Sequence, residues 1–248
     1  MVDLLTSVAN PLVRDLLRLH DARERRDLGR FLVEGRRAID AFLTAGWQPV
    51  ELLVRQGEEH PSSWPSARAI GAAVATRLSQ ASSASGYLAA FVIPTPLAID
   101  RDVGGVVLSE IADPGNLGTL VRCAAAFAQR QVVLIGGADP WSHKVVQASA
   151  GTLASIAIHR LETNDGLSPL AGGAPRCALV VTGGVAPEAL RPGPRWLVVG
   201  SEAHGIRSEW SAACEERLTL PMPGGTESLN AAMAGAIACW ELFRPRLP

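Results

Sequence analysis

The second half of the chain alternates short apolar runs with stretches of helical pattern. The runs are continuous in apolar residues, and they lie at 106–109, 132–135, 178–182 and 196–199. Strands that are apolar on both faces are typical of a parallel sheet covered by helices on each side. The pattern therefore predicts an α/β fold with a parallel sheet in this half.

The first half has the pattern of a smaller α/β unit. Asn10 followed by Pro11 is typical of a helix start, and a leucine face follows. Further along, the pattern predicts strands at 31–33, 50–55 and 86–93 and helices at 36–46 and 66–71. The sequence Pro-Thr-Pro at 94–96 is typical of a stiff linker, so we expect domains at 1–94 and 97–248.

Composition says little about partners. The net charge of −1, from 23 basic and 24 acidic residues, does not indicate a nucleic-acid binder. No apolar run reaches the roughly 20 residues of a membrane helix, because Pro94 and Pro96 interrupt the richest one. The first residues have neither the basic start nor the continuous apolar segment of an export signal. We therefore expect a cytoplasmic protein that does not contact membranes.

Eight arginines lie between Arg14 and Arg37, and five acidic neighbours offset most of their charge. This pattern is typical of a solvated helix with ion pairs between residues i and i+4. It is also compatible with a patch that binds the RNA backbone, and periodicity alone favours the solvated helix by about two to one. The candidate RNA-binding residues are Arg23, Arg25, Arg26 and Arg36.

Several common catalytic motifs are missing from the sequence. It contains no GxGxxG after a strand, no Walker phosphate loop, and neither HExxH nor GxSxG. The four cysteines lie far apart, without the spacing of metal ligands, and the five histidines are scattered. We therefore expect reduced thiols and no metal site.

Three loops remain as candidates for chemistry, and each is associated with the end of a predicted strand. They are DPGNLG at 113–118, which leads to Arg122, GSEAHGI at 200–206, and LPMPGGTESLN at 220–230. A helix of small residues follows the third loop at 231–238. Each loop taken alone is also explained as a turn with a capping residue. However, the carboxyl edge of an open α/β sheet is where ligands bind.

Taken in this order, the three loops resemble the motifs of the SpoU/TrmH family of RNA ribose methyltransferases, within the knotted SPOUT class. The matching segments are DPGNLGTLVR at 113–122, LVVGSEAHGI at 197–206 and LPMPGGTESLN at 220–230. The first half resembles the family's substrate-binding domain more loosely, through SxxNPxV and FLVEG. The resemblance moves the interpretation of the arginine stretch towards RNA contact.

The resemblance implies an architecture that the pattern alone does not give. The domain at 97–248 would be a SPOUT methyltransferase domain whose C-terminal segment passes through a loop to form a trefoil knot. The domain at 1–94 would be a small α/β RNA-binding domain with a helical N-terminal arm. Members of the family are usually homodimers, with the cofactor pocket close to the dimer interface.

The reaction that the resemblance implies is methyl transfer from S-adenosylmethionine to a ribose 2′-hydroxyl of RNA. Arg122 would act either as the base or as a clamp that binds phosphate and stabilises the oxyanion, since a guanidinium does not readily accept a proton. Asn116 and Glu202 would orient Arg122 and the ribose. Ser228 and Asn230 would complete the wall of the pocket.

The cofactor would bind largely to main chain. Gly200, Leu220 and Leu229 are the expected contacts, and Ile206 and Met222 would line the adenine slot. A glycine lets the main chain approach a ligand, and apolar side chains enclose a flat base. The reaction needs no metal.

Some positions depart from the family pattern. Ala128 replaces a usual glycine, Gln147 replaces an arginine, and Ala231-Ala232 replaces Val-Ser. None of these changes removes a motif residue expected to do chemistry. The N-terminal domain favours ribosomal RNA as the substrate, while a tRNA methyltransferase and a catalytically inactive RNA- or ribosome-binding factor remain open as alternatives.

Overall fold

The computed structural model describes residues 4–64, 66–81, 84–95 and 97–244. The chain divides into two compact units, one formed by Met1–Thr95 with Trp141–Ala154 and the other by Pro96–Pro140 with Ser155–Pro248. Pro96, the last residue of the predicted linker, lies outside the described residues. Within the described ranges, no helix is both long and apolar enough to cross a membrane.

The first unit is built on a mixed four-stranded sheet in the order β1-β4-β2-β3. Its strands are β1 (Arg30–Glu34), β2 (Pro49–Arg55), β3 (Arg68–Ile70) and β4 (Tyr87–Val92). Its helices are α1 (Pro11–Arg18), α2 (Ala22–Leu28), α3 (Arg36–Thr44) and α4 (Ala72–Leu78). The small α/β unit expected before the linker is therefore present.

The prediction of a helix at 66–71 is wrong. Residues 68–70 form β3, which pairs in parallel with β2 so that Arg68 lies opposite Leu53 and Ile70 opposite Arg55. Ile70 is fully buried. Pairing of the main chain and burial of Ile70 outweigh the weak helix propensity of this short stretch, and α4 begins only after Gly71.

Apolar side chains cover both faces of this sheet. On one face, the buried residues of α1 pack with Leu53, Ile70 and Leu88, so the predicted leucine face of this helix lies in the core. On the other face, aromatic rings cluster, and the ring centroids of Phe42 and Phe91 lie 5.0 Å apart. The first unit thus has a core of its own.

The segment Trp141–Ala154 belongs to the first unit, although sequence analysis placed it inside the catalytic domain. It contains helix α6 (His143–Ala148). The buried ring of Trp141 lies 4.7 Å from that of Phe31. The indole N–H of Trp47 donates a hydrogen bond to the carbonyl of Ala154 at 2.9 Å. Aromatic packing at one end and this hydrogen bond at the other explain why the segment clusters with the first unit.

The second unit contains a six-stranded sheet among the described residues, in the order β10-β8-β9-β5-β6-β7. The strands are β5 (Gly105–Ser109), β6 (Gln131–Ile135), β7 (Ala157–Leu161), β8 (Arg176–Leu179), β9 (Trp196–Val199) and β10 (Glu216–Leu218). All neighbouring pairs are parallel, which confirms the predicted parallel sheet. Helices α5 (Pro114–Ala126), α7 (Ser208–Ala212) and α8 (Ala231–Phe243) complete this unit.

The strand order reverses between β5 and β9. From β5 the chain adds β6 and β7 on one side, and it then returns to build β8, β9 and β10 on the other side. Loops that leave two strands at such a point diverge and open a crevice at the carboxyl ends of the strands. The loops after β5 and β9 carry the first two sequence motifs.

Helix α8 packs closely on α5 because it is rich in small residues. A Cβ added to Gly235 would overlap the side chain of Leu120. At the end of α5, Ala128 has a φ of 58°, in the left-handed region that favours glycine. This backbone conformation gives a physical reason for the glycine that the resemblance leads us to expect at this position.

Candidate functional site

The loop after β5 brings Asn116 to the sheet edge. Asp113 caps α5, because its carboxylate accepts a hydrogen bond from the main-chain N–H of Asn116 at 2.8 Å. Pro114 occupies the first turn, where its missing N–H costs nothing. The capping residue and the proline fix the start of the helix, so Asn116 has a defined position in its first turn.

The loop after β9 folds back on itself. The N–H of Gly205 donates to the carbonyl of Ser201 at 2.9 Å, and the two residues form an isolated β-bridge. A Cβ on Gly200 would overlap the main chain of Gly205 and Ile206. The expected reason for Gly200 was the approach of a ligand, but the space beside its Cα is filled by the loop itself.

The third loop ends at Asn230, which caps α8. Its side-chain oxygen accepts hydrogen bonds from the N–H groups of Ala232 at 2.9 Å and Met233 at 3.3 Å. A cap of this kind stabilises a helix by about 1 kcal/mol. The amide nitrogen of Asn230 remains available for a second contact.

The three loops meet at Asn116. Its amide nitrogen donates a hydrogen bond to the carboxylate of Glu202, and its amide oxygen accepts one from the amide nitrogen of Asn230 at 3.3 Å. We call these three side chains the Asn116 junction. The junction crosses the point where the strand order reverses, and it joins residues from all three sequence motifs.

A cavity of about 240 Å³ lies beside the junction. It is lined by residues at the ends of β8 and β9, in the third loop and in the first turns of α8: Leu179, Val180, Val181, Val199, Gly200, Ser201, Glu202, Gly205, Leu220, Met222, Ser228, Leu229, Ala231 and Ala234. The end of β8 was not among the segments expected to form the site. The position of this strand in a parallel sheet was the available signal, since all carboxyl ends share one edge.

Four of the five residues predicted to bind the cofactor line this cavity, namely Gly200, Leu220, Met222 and Leu229. Ile206 is not among the lining residues. It is partly buried, and it packs against the core cluster that contains Trp196. The structure thus brings four of the predicted positions together and places the fifth in the core of the second unit.

The predicted catalytic residues divide into two groups. Asn116, Glu202 and Asn230 form the junction, and Ser228 lines the cavity. Arg122 is exposed, and its guanidinium makes no hydrogen bond or ion pair with the described part of the chain. It lies six residues beyond Asn116, which on a helix is about 9 Å along the axis and about a third of a turn around it.

The cavity has the character of a nucleoside site. Leu220, Met222 and Leu229 supply apolar surface for a flat base, while Glu202 and Ser228 supply polar atoms. Such a mixture of apolar walls and a few polar groups is typical of sites that bind small molecules and cofactors. The residues therefore fit the adenosyl part of S-adenosylmethionine.

Two titratable groups near this edge have shifted pKa values. Hydrogen bonds from Arg207 lower the pKa of Glu110 below its usual range. Partial burial raises the pKa of the Cys123 thiol, and the positive charge of the neighbouring Arg122 offsets part of that change. In the described ranges, no three His, Cys, Asp or Glu side chains are grouped so that they could hold a metal ion.

The candidate RNA-binding arginines differ in accessibility. The prediction that Arg25 contacts RNA is wrong, because its side chain is buried. Its guanidinium donates hydrogen bonds to the carbonyls of Leu19 at 2.8 Å and His20 at 3.0 Å. Arg23 and Arg26 are exposed. The remaining candidate, Arg36, forms ion pairs with Glu59 at 2.8 Å and Asp40 at 3.8 Å.

Comparisons with known families match both parts of the chain. The profile described as the SpoU rRNA Methylase family matches residues 105–240, which is more than half of the chain. The profile described as the MRM3-like substrate binding domain matches residues 10–87. The first match contains the junction and every residue that lines the cavity.

Individual proteins are similar over nearly their whole length. The 23S rRNA (uridine(2479)-2′-O)-methyltransferase of Streptomyces viridochromogenes is 28% identical, over 92% of this chain and 88% of that protein. The 23S rRNA (guanosine(2553)-2′-O)-methyltransferase of Bacillus subtilis is also 28% identical, over 96% and 98%. The crystal structure of an AdoMet-bound rRNA methyltransferase from Sinorhizobium meliloti is similar with a TM-score of 0.84 and 26% identity, over 96% of both chains.

Gly200→Ala tests the explanation of this glycine. The added Cβ overlaps main chain, so we expect the free energy of unfolding to fall by about 1–3 kcal/mol, measured by thermal unfolding. Gly224→Ala is the matched control, because an added Cβ there meets nothing within 4 Å. Equal unfolding temperatures for the two variants would contradict the account of the loop.

Proposed function

The chain belongs to the SpoU rRNA methylase family, and from this premise we propose that it transfers a methyl group from S-adenosylmethionine to a ribose 2′-hydroxyl of ribosomal RNA. The observation that carries the proposal is the Asn116 junction beside an apolar cavity. The junction joins the three family motifs at the sheet edge where α/β proteins bind their ligands.

The residues of the site bind and orient the two reactants. Bound S-adenosylmethionine supplies an already activated methyl group. The apolar walls at Leu220, Met222 and Leu229 would hold its adenine. Glu202, Ser228 and the amides of the junction present polar atoms where the ribose of the RNA enters. Holding two reactants in line accounts for a large part of such a rate enhancement.

Arg122 acts on the reacting hydroxyl or on the adjacent phosphate. In the described part of the chain its guanidinium is not engaged by an acidic group, so it is available to an RNA substrate. A guanidinium pairs well with phosphate and stabilises a developing oxyanion, while its high intrinsic pKa makes it a poor proton acceptor. We therefore favour the phosphate clamp over the base.

Ribosomal RNA is the proposed substrate because both similar enzymes named above act on 23S rRNA. Those two proteins methylate different nucleosides, a uridine and a guanosine, at the same level of identity to this chain. The methyl acceptor is a ribose in either case. The cavity therefore accounts for the cofactor and the reaction, and the choice of nucleotide depends on contacts with RNA elsewhere.

The first unit provides those contacts. We assign residues 1–94 to RNA binding and 97–248 to catalysis, with Trp141–Ala154 joining the first unit. The profile match at 10–87 supports this division. Exposed Arg23 and Arg26 contact phosphate, and Arg36 does so by exchanging its partner Glu59 for RNA.

The second unit contains the trefoil knot of the family. Several hydrogen bonds support a passage of the chain beside the loop that follows β8. The N–H of Val180 donates to the carbonyl of Leu218, and the N–H of Val185 donates to that of Arg217, both at 2.9 Å. Residues 217–219 thus run between the two sides of this loop before the chain reaches α8. Small side chains on α8 suit a threaded segment.

The protein acts as a homodimer in the cytoplasm, where its ribosomal substrate is. An apolar stripe on α8 supports the dimer. Met233, Ile237 and Trp240 follow one another at helical spacing, with exposed fractions of 59%, 41% and 48%. The first turns of this helix line the cavity, so a second copy that covers the stripe would lie close to the cofactor site.

Arg26→Ala and Arg25→Ala separate RNA contact from folding. Loss of Arg26 should reduce the slope of log affinity against log salt by about 0.7–0.9, since one phosphate contact disappears, and leave the unfolding temperature unchanged. Loss of buried Arg25 should instead lower the free energy of unfolding by about 1–3 kcal/mol. Filter binding over a salt series and thermal unfolding give both quantities. An unaltered slope for Arg26→Ala would show that Arg26 is a solvated surface residue that does not contact RNA.

Arg122 is tested with tritiated S-adenosylmethionine and unmodified rRNA or tRNA. We expect the wild-type protein to label rRNA at an alkali-resistant linkage, and Arg122→Ala to lose at least about 100-fold in rate with cofactor binding retained. Arg122→Lys distinguishes the two roles, because lysine keeps the charge, releases a proton more easily and lacks the planar fork.

Activity of Arg122→Lys with a shifted pH profile would support a base. Failure at every pH would support the clamp. Labelling of tRNA alone would replace the proposed substrate with the tRNA alternative, and full activity of Arg122→Ala would remove this residue from the mechanism.

A further inference from the structure

Glu110 has an unusual backbone conformation next to the site. It follows β5 directly, and its φ of 56° lies in the left-handed region. A residue with a side chain pays a free-energy cost in this region, and such costs concentrate at functional sites. The N–H of Glu110 donates to the carbonyl of Ile135 at 2.8 Å, so the neighbouring strand holds the main chain in this conformation.

The side chain of Glu110 forms a two-point ion pair with Arg207. The Nε and Nη2 atoms of Arg207 lie 3.1 and 2.5 Å from the two carboxylate oxygens of Glu110. The guanidinium also lies over the ring of Trp210, 4.8 Å from its centroid. Contacts on the edge and on the face of the guanidinium leave it little freedom, which is uncommon for a pair near the surface.

This ion pair fixes one end of the loop that forms the wall of the cavity. The loop leaves β9 at Gly200, and Arg207 is its last residue before α7. The middle of the loop is held by Glu202, which accepts the hydrogen bond from Asn116. Glu110 follows β5 directly, and Asn116 lies in the first turn of α5. The loop after β9 is thus attached at two points to the segment that runs from the end of β5 into α5.

We propose that Glu110 and Arg207 are positioning residues, which hold the loop 200–207 in the conformation that binds S-adenosylmethionine. The backbone strain at Glu110 is tolerated because its side chain serves this positioning. The inference rests on the function proposed above. Neither residue lines the cavity, so they act through Gly200, Ser201 and Glu202, which do. The loop contains two glycines and mostly exposed residues, and without its outer attachment it would sample other conformations.

The charges around the pair are compatible with this role. Hydrogen bonding from Arg207 and its charge lower the pKa of Glu110, with a smaller contribution from His204, and Glu110 and Glu209 raise the pKa of Arg207. Both partners are therefore charged at neutral pH. Because the folded carboxyl has the lowered pKa, the contribution of the pair is present at neutral pH and is lost as the pH falls through that value.

Two variants of Glu110 separate the ion pair from the strain. Glu110→Gln removes the charge and keeps a side chain in the left-handed conformation. Glu110→Gly removes the pair and relieves the strain. By isothermal titration calorimetry, both should bind S-adenosylmethionine at least about five-fold more weakly than wild type, and Arg207→Gln combined with Glu110→Gln should add little further loss.

Unfolding temperatures give the discriminating measurement. Glu110→Gly should unfold at or above the temperature of Glu110→Gln, while its affinity for the cofactor stays reduced. A merely structural role would instead make affinity follow stability. In kinetics, the KM for S-adenosylmethionine should rise while kcat changes by less than about two-fold, because Glu202 keeps its own hydrogen bond from Asn116 in the junction that faces the RNA.

Two variants elsewhere in the same unit serve as controls. Glu215→Gln breaks a comparable two-point ion pair, with Arg176, and should lower stability without changing cofactor affinity. Ala128→Gly relieves the same kind of backbone strain, at a φ of 58°, and should raise the unfolding temperature, again with unchanged affinity.

The outcomes are distinguishable from failure of the proposed function. If wild type does not bind S-adenosylmethionine, the function itself is wrong, and this inference falls with it. If wild type binds and both Glu110 variants bind equally well, the function stands and the positioning role is wrong. Equal losses in Glu215→Gln and Glu110→Gln would also overturn the inference, because affinity would then report general destabilisation.

Discussion

The side-chain amide of Asn116 is the constraint on which the candidate site depends. It donates to Glu202 and accepts from Asn230, which are 86 and 114 residues away along the chain. An amide can do both at once, whereas a carboxylate has no donor and an alkyl chain has neither group. Each hydrogen bond contributes only about 1 kcal/mol to stability. Its importance lies in fixing three loops around one cavity.

The loops around the junction are held firmly by their own structure. Asp113 and Asn230 cap the helices that begin at the site, and the loop after β9 closes on itself where Gly200 meets Gly205. Backbone strain at Glu110 lies beside the same loops. A reaction that mainly requires two bound molecules to be aligned benefits from such rigid walls, because little has to be reorganised when the methyl group moves.

The sequence predicted the parallel sheet and the positions of the three motifs, since continuous apolar runs and loop composition are local signals. It did not predict which residues meet, because the Asn116 junction depends on long-range pairing. The same limit explains the helix expected at 66–71, where pairing with β2 decides the structure. It also explains Arg25, whose burial depends on how α2 lies against the end of α1. The composition of the loop pointed to Gly200. The reason why a glycine is needed there, the close approach of the main chain of Gly205 and Ile206, became clear only from the fold.

The central claim is that the junction, separately from the stability of the fold, makes the site active. Asn230→Asp tests it most directly, because aspartate caps a helix as well as asparagine does but cannot donate to Asn116. Methyl transfer to unmodified rRNA and thermal unfolding should be measured on the same preparation. The account predicts an unchanged unfolding temperature and a rate at least about ten-fold below wild type. A wild-type rate in Asn230→Asp would contradict it.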